Sequence, residues 1–227
     1  RRKHFGDKNI DFYYAVANKE PSHDNHYEGS FEILYMISGK VLYIIEGKEY
    51  QINDNDIIIL HNHELHKTIF SSDREHEYMF IHFQPEYVET FQYKQYNLLS
   101  FFQNRRPGHY NKIEEKIVKD NCIDCYFHKM LEILINQKPE APVIMKKTFI
   151  ELLVSINNVF SKIKNTFNYS LKYNQNIMSI IKYINNNLNE ELTLEKISDK
   201  YNFNKHYLCR YFKDNTGYTV NYYINYK

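Results

Sequence analysis

The first 85 residues alternate between short apolar runs and clusters of turn-forming residues. The clearest runs cover residues 12–16, 31–36 and 57–60, and Gly, Asn and Asp are concentrated between them. Apolar runs that recur roughly every 8–12 residues are typical of a small β-barrel or β-sandwich. We therefore predict an N-terminal β-rich region in which further strands cover residues 40–45, 49–52 and 76–83.

Three turns are predicted between these strands. Residues 38–40 are expected to join a β-hairpin, residues 46–48 make the next turn, and residues 53–56 form an Asn/Asp turn cluster. The β-branched run that follows this cluster is typical of a fully buried strand. His61 and His63 flank the end of that run, and we expect them at the surface of a loop.

Helical spacing of apolar residues replaces the strand pattern after about residue 110. Residues 112–137 are predicted to form one helix and residues 143–164 a second one. Residues 138–142 break the pattern because proline fixes φ and lacks an amide donor. One apolar stripe can cover the β-region, and the other could face a second copy of the chain or be buried in a monomer. Residues 165–175 are polar and are the candidate linker.

The C-terminal pattern predicts a helix over residues 177–187, followed by two short helices joined by a sharp turn at 201–203. Thr193 and Asn204 are N-cap candidates, because their side chains can accept hydrogen bonds from the free amides of a first helical turn. This is the helix-turn-helix pattern, whose second helix can enter the major groove of DNA. In that second helix, the residues predicted to pack inward are Leu208, Tyr211 and Phe212.

The remaining faces of the second helix carry the candidate DNA contacts. An outward arginine such as Arg210 can form a two-pronged hydrogen bond with guanine, and lysines suit phosphates. The alternative is the solvated face of an ordinary helical hairpin. The candidate DNA-binding residues are Lys205, His206, Cys209, Arg210 and Lys213.

This region resembles the first half of an AraC/XylS-family DNA-binding domain, through Ile184 and residues 192–197, 207–213 and 216–218. The resemblance implies that the base-reading positions are His206, Cys209 and Arg210. Asn204, Cys209 and Ser198 depart from the usual residues without breaking the pattern. The family domain has a second helix-turn-helix unit after a joining helix, and residues 220–227 look like the start of that helix. We therefore expect the sequence to be a fragment.

The N-terminal spacing resembles a cupin barrel, the usual sensor of AraC-type regulators. Glu32 precedes Gly39 as in the first cupin motif, His26 and Glu28 stand just upstream, and His66 lies where the second motif places a histidine. The resemblance implies that these His and Glu side chains converge inside the barrel. They could hold Zn, Mn, Fe or Ni. Because Glu28 replaces a histidine, we expect a polar ligand pocket rather than a metal site.

Two tyrosines complete the predicted pocket. Tyr35 and Tyr43 could pack their rings on the C–H faces of a sugar, although packing in the core explains either ring equally well. The resemblance further implies that the helical segment that follows the barrel mediates dimerisation.

Charge and cysteine content narrow the remaining functions only slightly. The formal net charge is +1, and residues 177–227 carry seven basic against five acidic side chains, so charge neither opposes nor favours DNA binding. No apolar run approaches the roughly 18 residues of a membrane span, and we expect a cytoplasmic protein.

The three cysteines of the chain fit reduced thiols. The spacing of Cys122 and Cys125 is that of redox and zinc motifs, but one pair supplies at most two zinc ligands, and we expect these cysteines to be ordinary helix residues.

We therefore predict an α+β chain with a cupin-like barrel at 1–105, a helical dimerisation and linker segment at 106–170, and half of an AraC-type DNA-binding domain at 171–227. The predicted function is a ligand-responsive transcription regulator, not an enzyme, that binds double-stranded DNA as a homodimer and senses a carbohydrate or other metabolite without a cofactor. One alternative is a metal-dependent cupin enzyme with an appended interaction module, which would need an open metal position and a base. Another is an interaction module that does not contact DNA.

Overall fold

The structure is a computed structural model that describes residues 2–17, 23–26, 29–62, 64–70, 74–89, 91, 93, 96–103, 105, 107–166, 175–188, 192–216 and 219–226. Its contacts divide the chain into two compact units. The first contains Arg1–Gln103 and Tyr110–Tyr169, and the second contains Asn104–His109 and Ser170–Lys227. Most of the segment predicted separately for 106–170 therefore belongs to the same unit as the strands.

The described strands cover most of the predicted ones and add others. They are β1 Arg2–Asp7, β2 Ile10–Ala17, β3 His23–His26, β4 Phe31–Ser38, β5 Val41–Ile45, β6 Lys48–Ile52, β7 Ile57–Leu60, β8 His66–Phe70, β9 His76–Phe83 and β10 Lys112–Ile113. Strands β1, β3, β8 and β10 were not predicted, because they are short or rich in charged residues and histidine.

The described helices follow the last long strand. They are α1 Pro85–Glu89, α2 Ser100–Gln103, α3 Glu115–Asp120, α4 Asp124–Asn136, α5 Ala141–Thr166, α6 Gln175–Asn186, α7 Leu194–Lys200, α8 Lys205–Thr216 and α9 Val220–Tyr226. Among the residues that the structure describes, no helix has the length and apolar character that crossing a membrane requires.

The strands form two antiparallel sheets, which is the sandwich form of the predicted β-barrel or β-sandwich. The first sheet has the order β1-β2-β9-β4-β7-β10, and the second has the order β3-β8-β5-β6. The two sheets pack through a buried apolar cluster that includes Leu34, Tyr43 and Tyr78. The N-terminal part is therefore β-rich, as predicted, and forms a two-layer sandwich.

The prediction of a hairpin at residues 38–40 was wrong. Strand β4 pairs with β7 and β9 in the first sheet, whereas β5 pairs with β6 and β8 in the second. Gly39 lies where the chain crosses between the sheets, with a φ of 142°. A β-carbon there would lie 2.6 Å from Nδ1 of His76 and 2.9 Å from the sulfur of Met36. Only glycine therefore fits this crossing.

The predicted turn between β5 and β6 is confirmed. Glu46 and Gly47 occupy the two central positions with φ values of 50° and 75°. Two consecutive positive φ values define a type I′ turn, whose twist matches that of the paired strands. The two strands that flank the turn, β5 and β6, pair Val41 with Ile52 and Ile45 with Lys48.

The central strands of the first sheet are buried on both faces. Along β4 every residue from Phe31 to Met36 is buried, because one face packs on the second sheet and the other is covered by helices. We call these the inner and the outer face. On the outer face Phe83 contacts Phe149 of α5 at a ring-centroid distance of 4.9 Å, and Phe31 stacks on Phe102 of α2 at 4.8 Å.

The prediction of one helix over residues 112–137 was wrong. The segment begins with the two-residue strand β10 and is then divided into α3 and α4 at residues 121–123. The amide of Cys122 donates to the carbonyl of Lys119 at 3.1 Å, and that of Ile123 donates to Val118 at 2.9 Å. This pair of bonds is the Schellman motif that ends many helices, and its left-handed position is Cys122, with a φ of 50°.

The second predicted helix of the first unit is confirmed as α5, which extends beyond both predicted ends. Pro142 lies in its first turn, where the missing amide leaves no hydrogen bond unmade. The side chains that α5 buries include Met145, Phe149, Leu152, Leu153, Ile156, Val159 and Phe160.

The second unit has its own apolar core. Helix α6 contributes four isoleucines at helical spacing, as predicted, and α7 and α8 are joined by a short turn in which Asn202 has a φ of 53°. Asparagine tolerates this left-handed conformation better than most residues. The core consists of Ile177, Ile180, Ile181, Ile184, Ile197, Leu208, Phe212, Val220 and Tyr223.

We expect Cys122→Gly to raise the free energy of unfolding of the reduced first unit by about 1 kcal/mol, because glycine has no β-carbon to oppose a left-handed φ. The matched control is Cys125→Gly, three positions later and inside α4, where glycine should lower stability by about 0.5–1 kcal/mol. Urea unfolding with excess reductant measures both. Equal effects of the two substitutions would contradict the assignment of backbone strain to Cys122.

Candidate functional site

A buried carboxylate lies on the inner face of the first sheet. Glu32 in β4 is 3% exposed and pairs across the strands with Leu60 of β7 and His82 of β9. Its neighbours on the same face of β4 are apolar, since side chains alternate along a strand. An isolated charge buried in such surroundings costs several kcal/mol, so Glu32 needs polar partners.

Two histidines lie close to this carboxylate. Nε2 of His82 lies 3.3 Å from Oε2 of Glu32, and Nε2 of His66 lies 3.9 Å from the same oxygen. His66 belongs to β8 of the second sheet and is 2% exposed. The polar cluster Glu32–His66–His82 therefore spans the two layers of the sandwich.

The orientation of the His66 ring has a chemical consequence. Its Nδ1 lies 3.0 Å from the backbone carbonyl oxygen of Glu64, and a carbonyl can only accept, so Nδ1 carries the hydrogen. In the neutral ring Nε2 is then an acceptor that faces a carboxylate oxygen, another acceptor. A hydroxyl or amine donor placed near both atoms would be bound favourably.

Aromatic rings surround this cluster. The rings of Phe80 and His82 lie 5.4 Å apart, those of Tyr78 and Phe80 also 5.4 Å, and that of Tyr43 lies 6.3 Å from His66. Tyr13 and Phe80 are only partly buried, so the aromatic lining reaches solvent. An apolar lining with a few convergent polar groups is the usual composition of a small-molecule site.

The structure brings together only some of the predicted pocket residues. Glu32, Tyr43 and His66 share the interior of the sandwich. His26 pairs with His66 through the backbone of β3, but its side chain lies outside the described residues, as does the whole of Glu28.

The prediction that Tyr35 lines the pocket was wrong. Tyr35 occupies the outer face, where its ring stacks on Phe127 of α4 at 4.6 Å and its hydroxyl donates to Oδ1 of Asn55 at 2.9 Å. Both faces of β4 are buried, so burial alone could not tell them apart. Burial also raises the pKa of Tyr35 well above that of a free tyrosine.

The prediction for His61 was also wrong, and His82 was not predicted as a site residue. His61 is 9% exposed and its ring lies 4.8 Å from that of Phe31, so it is not a surface residue, and His63 lies outside the described residues. His82 was missed, although Tyr78 and Phe80 at period two along β9 place it on the same inner face.

Two of the four candidate metal ligands, His26 and Glu28, have side chains outside the described residues. Within the described residues, no group of three or more His, Cys, Asp or Glu side chains is arranged to hold a metal ion.

The second candidate site is the surface of α8. Lys205, His206, Arg210 and Lys213 are exposed and Cys209 is partly buried, while Leu208 and Phe212 are fully buried, as predicted.

Both predicted N-caps are confirmed. The amide of Lys196 donates to Oγ1 of Thr193 at 3.2 Å, and that of His206 donates to Oδ1 of Asn204 at 2.9 Å.

A tyrosine hydroxyl fixes the end of α7 to α6. The hydroxyl of Tyr201 donates to the carbonyl of Ser179 at 2.5 Å. On α8, burial raises the pKa of Tyr211 to about 12, with a smaller contribution from Tyr207. The inward side of α8 is therefore held by apolar packing, whereas α7 is held by a polar contact as well.

One candidate phosphate contact already has an internal partner. The ammonium group of Lys205 forms an ion pair with Glu195 of α7, and this hydrogen bond lowers the pKa of the Glu195 carboxyl. The positive charge of Lys205 is thus partly offset, which leaves Arg210 and Lys213 as the stronger candidates for contacts with an anionic partner.

Comparison with known proteins places the first unit in a family. The model for the AraC-like ligand binding domain matches residues 9–153, which is more than half of the chain. A search of curated protein sequences found no match. The chain therefore belongs to the family of AraC-like ligand binding domains.

Solved structures extend the comparison. An apo variant of ToxT from Vibrio cholerae matches with a TM-score of 0.55 and 13% identity, over 96% of this chain and 79% of that one. A cupin 2 conserved barrel domain protein from Salinispora arenicola matches with a TM-score of 0.34 and 14% identity, over 40% and 81% of the two chains. A conserved protein of unknown function from Streptococcus pyogenes matches with a TM-score of 0.34 and 10% identity, over 37% and 74%. The match to ToxT shows a common fold.

Proposed function

We propose that this chain is a ligand-responsive transcription regulator that reads DNA with α8 and acts in the cytoplasm. The observation that carries the proposal is the exposed basic surface of α8, at Arg210 and Lys213, on a helix whose opposite side is fixed by Leu208, Tyr211 and Phe212. Membership of a ligand-binding family supports the sensing half of the proposal. By this proposal α7 and α8 act as a helix-turn-helix in which α8 enters the major groove.

The proposed effector is a carbohydrate or a similar polyhydroxylated metabolite. Such a molecule has hydroxyl donors for the acceptor atoms of Glu32 and His66, and C–H faces that can pack on Tyr43 and the rings of β9. Effector binding would change DNA affinity only to the extent that it favours one conformation of the protein over another.

We also propose that the chain is not an enzyme. The matching family is defined by ligand binding, which supports a sensor. The alternative of a metal-dependent cupin enzyme predicts a stoichiometric transition metal and turnover, both lost in His66→Ala. Elemental analysis of the purified protein separates these alternatives.

The first prediction concerns Arg210. Arg210→Ala should weaken binding to duplex DNA from the region upstream of the protein's own gene by about 5–150-fold, which corresponds to about 1–3 kcal/mol for a bidentate base contact. It should also relax the preference at one base pair. Gel-shift titration of the complete protein measures the affinity, and competition with substituted duplexes measures the preference.

The matched control is Lys182→Ala, which removes an equally exposed positive charge from α6 rather than α8. It should change the affinity by much less and leave the base preference intact. If both variants lose affinity equally and neither changes sequence preference, α8 is not the reading helix.

The second prediction concerns the effector. Glu32→Gln should abolish or weaken by at least roughly tenfold the binding of any pentose, hexose or sugar alcohol that raises the melting temperature of the wild-type protein, because a charged acceptor is lost. Tyr35→Phe is the control, since Tyr35 lies on the outer face. Thermal shift and calorimetry measure both. A panel in which nothing binds, or in which Glu32→Gln binds unchanged, rejects the carbohydrate site.

The third prediction concerns the proposed homodimer. A cleft at the start of α5 is lined by Phe91, Pro142, Val143 and Ile150, together with Lys146, Lys147 and Glu151, and Val143 is 73% exposed. If a second copy covers this cleft, Val143→Lys should weaken dimerisation by roughly tenfold or more. Ile135→Lys on α4, a residue that is 56% exposed and outside the cleft, should have little effect. Sedimentation velocity distinguishes the outcomes, and unchanged dimerisation in Val143→Lys rejects this interface.

A further inference from the structure

The break between α3 and α4 holds two cysteines three positions apart. Cys122 stands just before the N-cap residue Ile123, and Cys125 lies in the first turn of α4. Both side chains are exposed, and both are free thiols. Ile123 and Asp124, which lie between them, have a helical backbone, and this brings the Cα atoms of residues three positions apart to about 5 Å, within the range that a disulfide spans. The prediction that these cysteines are ordinary helix residues is therefore wrong for Cys122, which lies outside both helices.

The backbone around Cys122 holds it in an unfavourable conformation. A left-handed φ costs a residue with a β-carbon about 1–2 kcal/mol, and glycine is the usual residue at this position of a helix end. The conformation persists because the Schellman hydrogen bonds to Lys119 and Val118 are made and because Val118 and Ile123 are fully buried. A residue kept in such a conformation by its surroundings is a reason to look for a function.

Further contacts brace the same break. Nζ of Lys119 forms an ion pair with Oδ2 of Asp124 at 2.6 Å, which ties the end of α3 to the start of α4. Nδ2 of Asn121 donates to the carbonyl of Ile117 at 2.9 Å. The position of each cysteine is thus set by the folded backbone before any bond forms between them.

The surroundings of Cys125 affect its reactivity. Partial desolvation, followed by the carboxylate of Asp124, raises the pKa of the Cys125 thiol. This lowers the fraction of Cys125 that is present as the thiolate, which slows its exchange without preventing it. Each sulfur remains accessible to a small reagent because both residues are exposed.

We propose that Cys122 and Cys125 are a redox modification site at which a low-molecular-weight disulfide, such as oxidised glutathione, forms a reversible intrachain disulfide. One cysteine thiolate attacks a sulfur of the small disulfide, forms a mixed disulfide and expels one small thiolate. The other cysteine, as its thiolate, attacks the protein sulfur of that mixed disulfide, forms the Cys122–Cys125 bond and expels the second. Two protein thiols are oxidised, one small disulfide is reduced to two thiols, and the two protons released by the protein are taken up by those thiolates.

The location of this site gives it a route to the sheet. Phe127, two residues after Cys125, stacks on Tyr35 of β4, whose inner face carries Glu32. A covalent bond at the start of α4 therefore acts on a helix that packs directly on the outer face of the ligand-binding sheet. Any effect on effector binding rests on the proposed function, whereas formation of the disulfide does not.

The experiment equilibrates the complete protein with defined mixtures of reduced and oxidised glutathione, stops the exchange with acid, and alkylates the remaining thiols. The tryptic peptide 120–129 contains both Cys122 and Cys125 and no other cysteine. With oxidised glutathione this peptide should lose two hydrogen atoms and take up no alkylating reagent, and dithiothreitol should restore both thiols. Because closure between positioned groups is effectively unimolecular, the intrachain disulfide should exceed the mixed disulfide by roughly tenfold or more.

Two controls make the result decisive. Cys209 on α8 should form only the glutathione adduct under the same conditions. Cys122→Ser and Cys125→Ser should each stop at the mixed disulfide on the remaining cysteine. The proposal is overturned if the wild-type peptide accumulates glutathione adducts, forms bonds between chains, or stays fully alkylated at ratios that already modify Cys209. Because the measurement uses no DNA and no effector, its outcome is independent of whether the proposed regulator function holds.

Discussion

The burial of the central strands of the six-stranded sheet on both faces is the constraint on which the first unit depends. Its outer face is closed by phenylalanine rings, of which Phe149 of α5 contacts both Phe12 and Phe83. Its inner face packs on the second sheet through aliphatic and aromatic side chains. A polar residue placed in such a layer cannot be solvated by bulk water, so Glu32 must be matched by protein groups or by a bound molecule. The candidate site is thus a direct result of how the sheet is packed.

The same double burial explains which parts of the first unit were predictable from the sequence. The apolar runs of β4, β7 and β9 reveal strands, because only buried strands tolerate them. They do not reveal which face each residue occupies, and this is why Tyr35 was assigned to the pocket. Pairing partners were also hidden, since β4 pairs with β7 and β9 rather than with the next strand along the chain. The division between α3 and α4 had no sequence signal, because its left-handed position holds Cys122 where a glycine would have been recognised.

The second unit was predicted more completely because its signals are local. Capping side chains act within three residues, and the apolar spacing of α6 and α8 is read within a few turns. What the sequence could not show are contacts between helices, such as the bond from Tyr201 to Ser179 and the ion pair of Lys205 with Glu195. The ion pair changes the charge of the candidate surface, because Glu195 partly offsets the positive charge of Lys205.

The contacts that hold α7 and α8 have a mechanical implication. Helix α8 is fixed on its inward side by the buried side chains of Leu208 and Phe212, and the end of α7 is held by the hydrogen bond from Tyr201 to α6. Either helix can tilt or rotate only if several of these contacts break together. In the proposed regulator, the backbone positions of Arg210 and Lys213 would therefore be set before DNA is bound, and an effector would control whether the whole helix is presented rather than how tightly it binds.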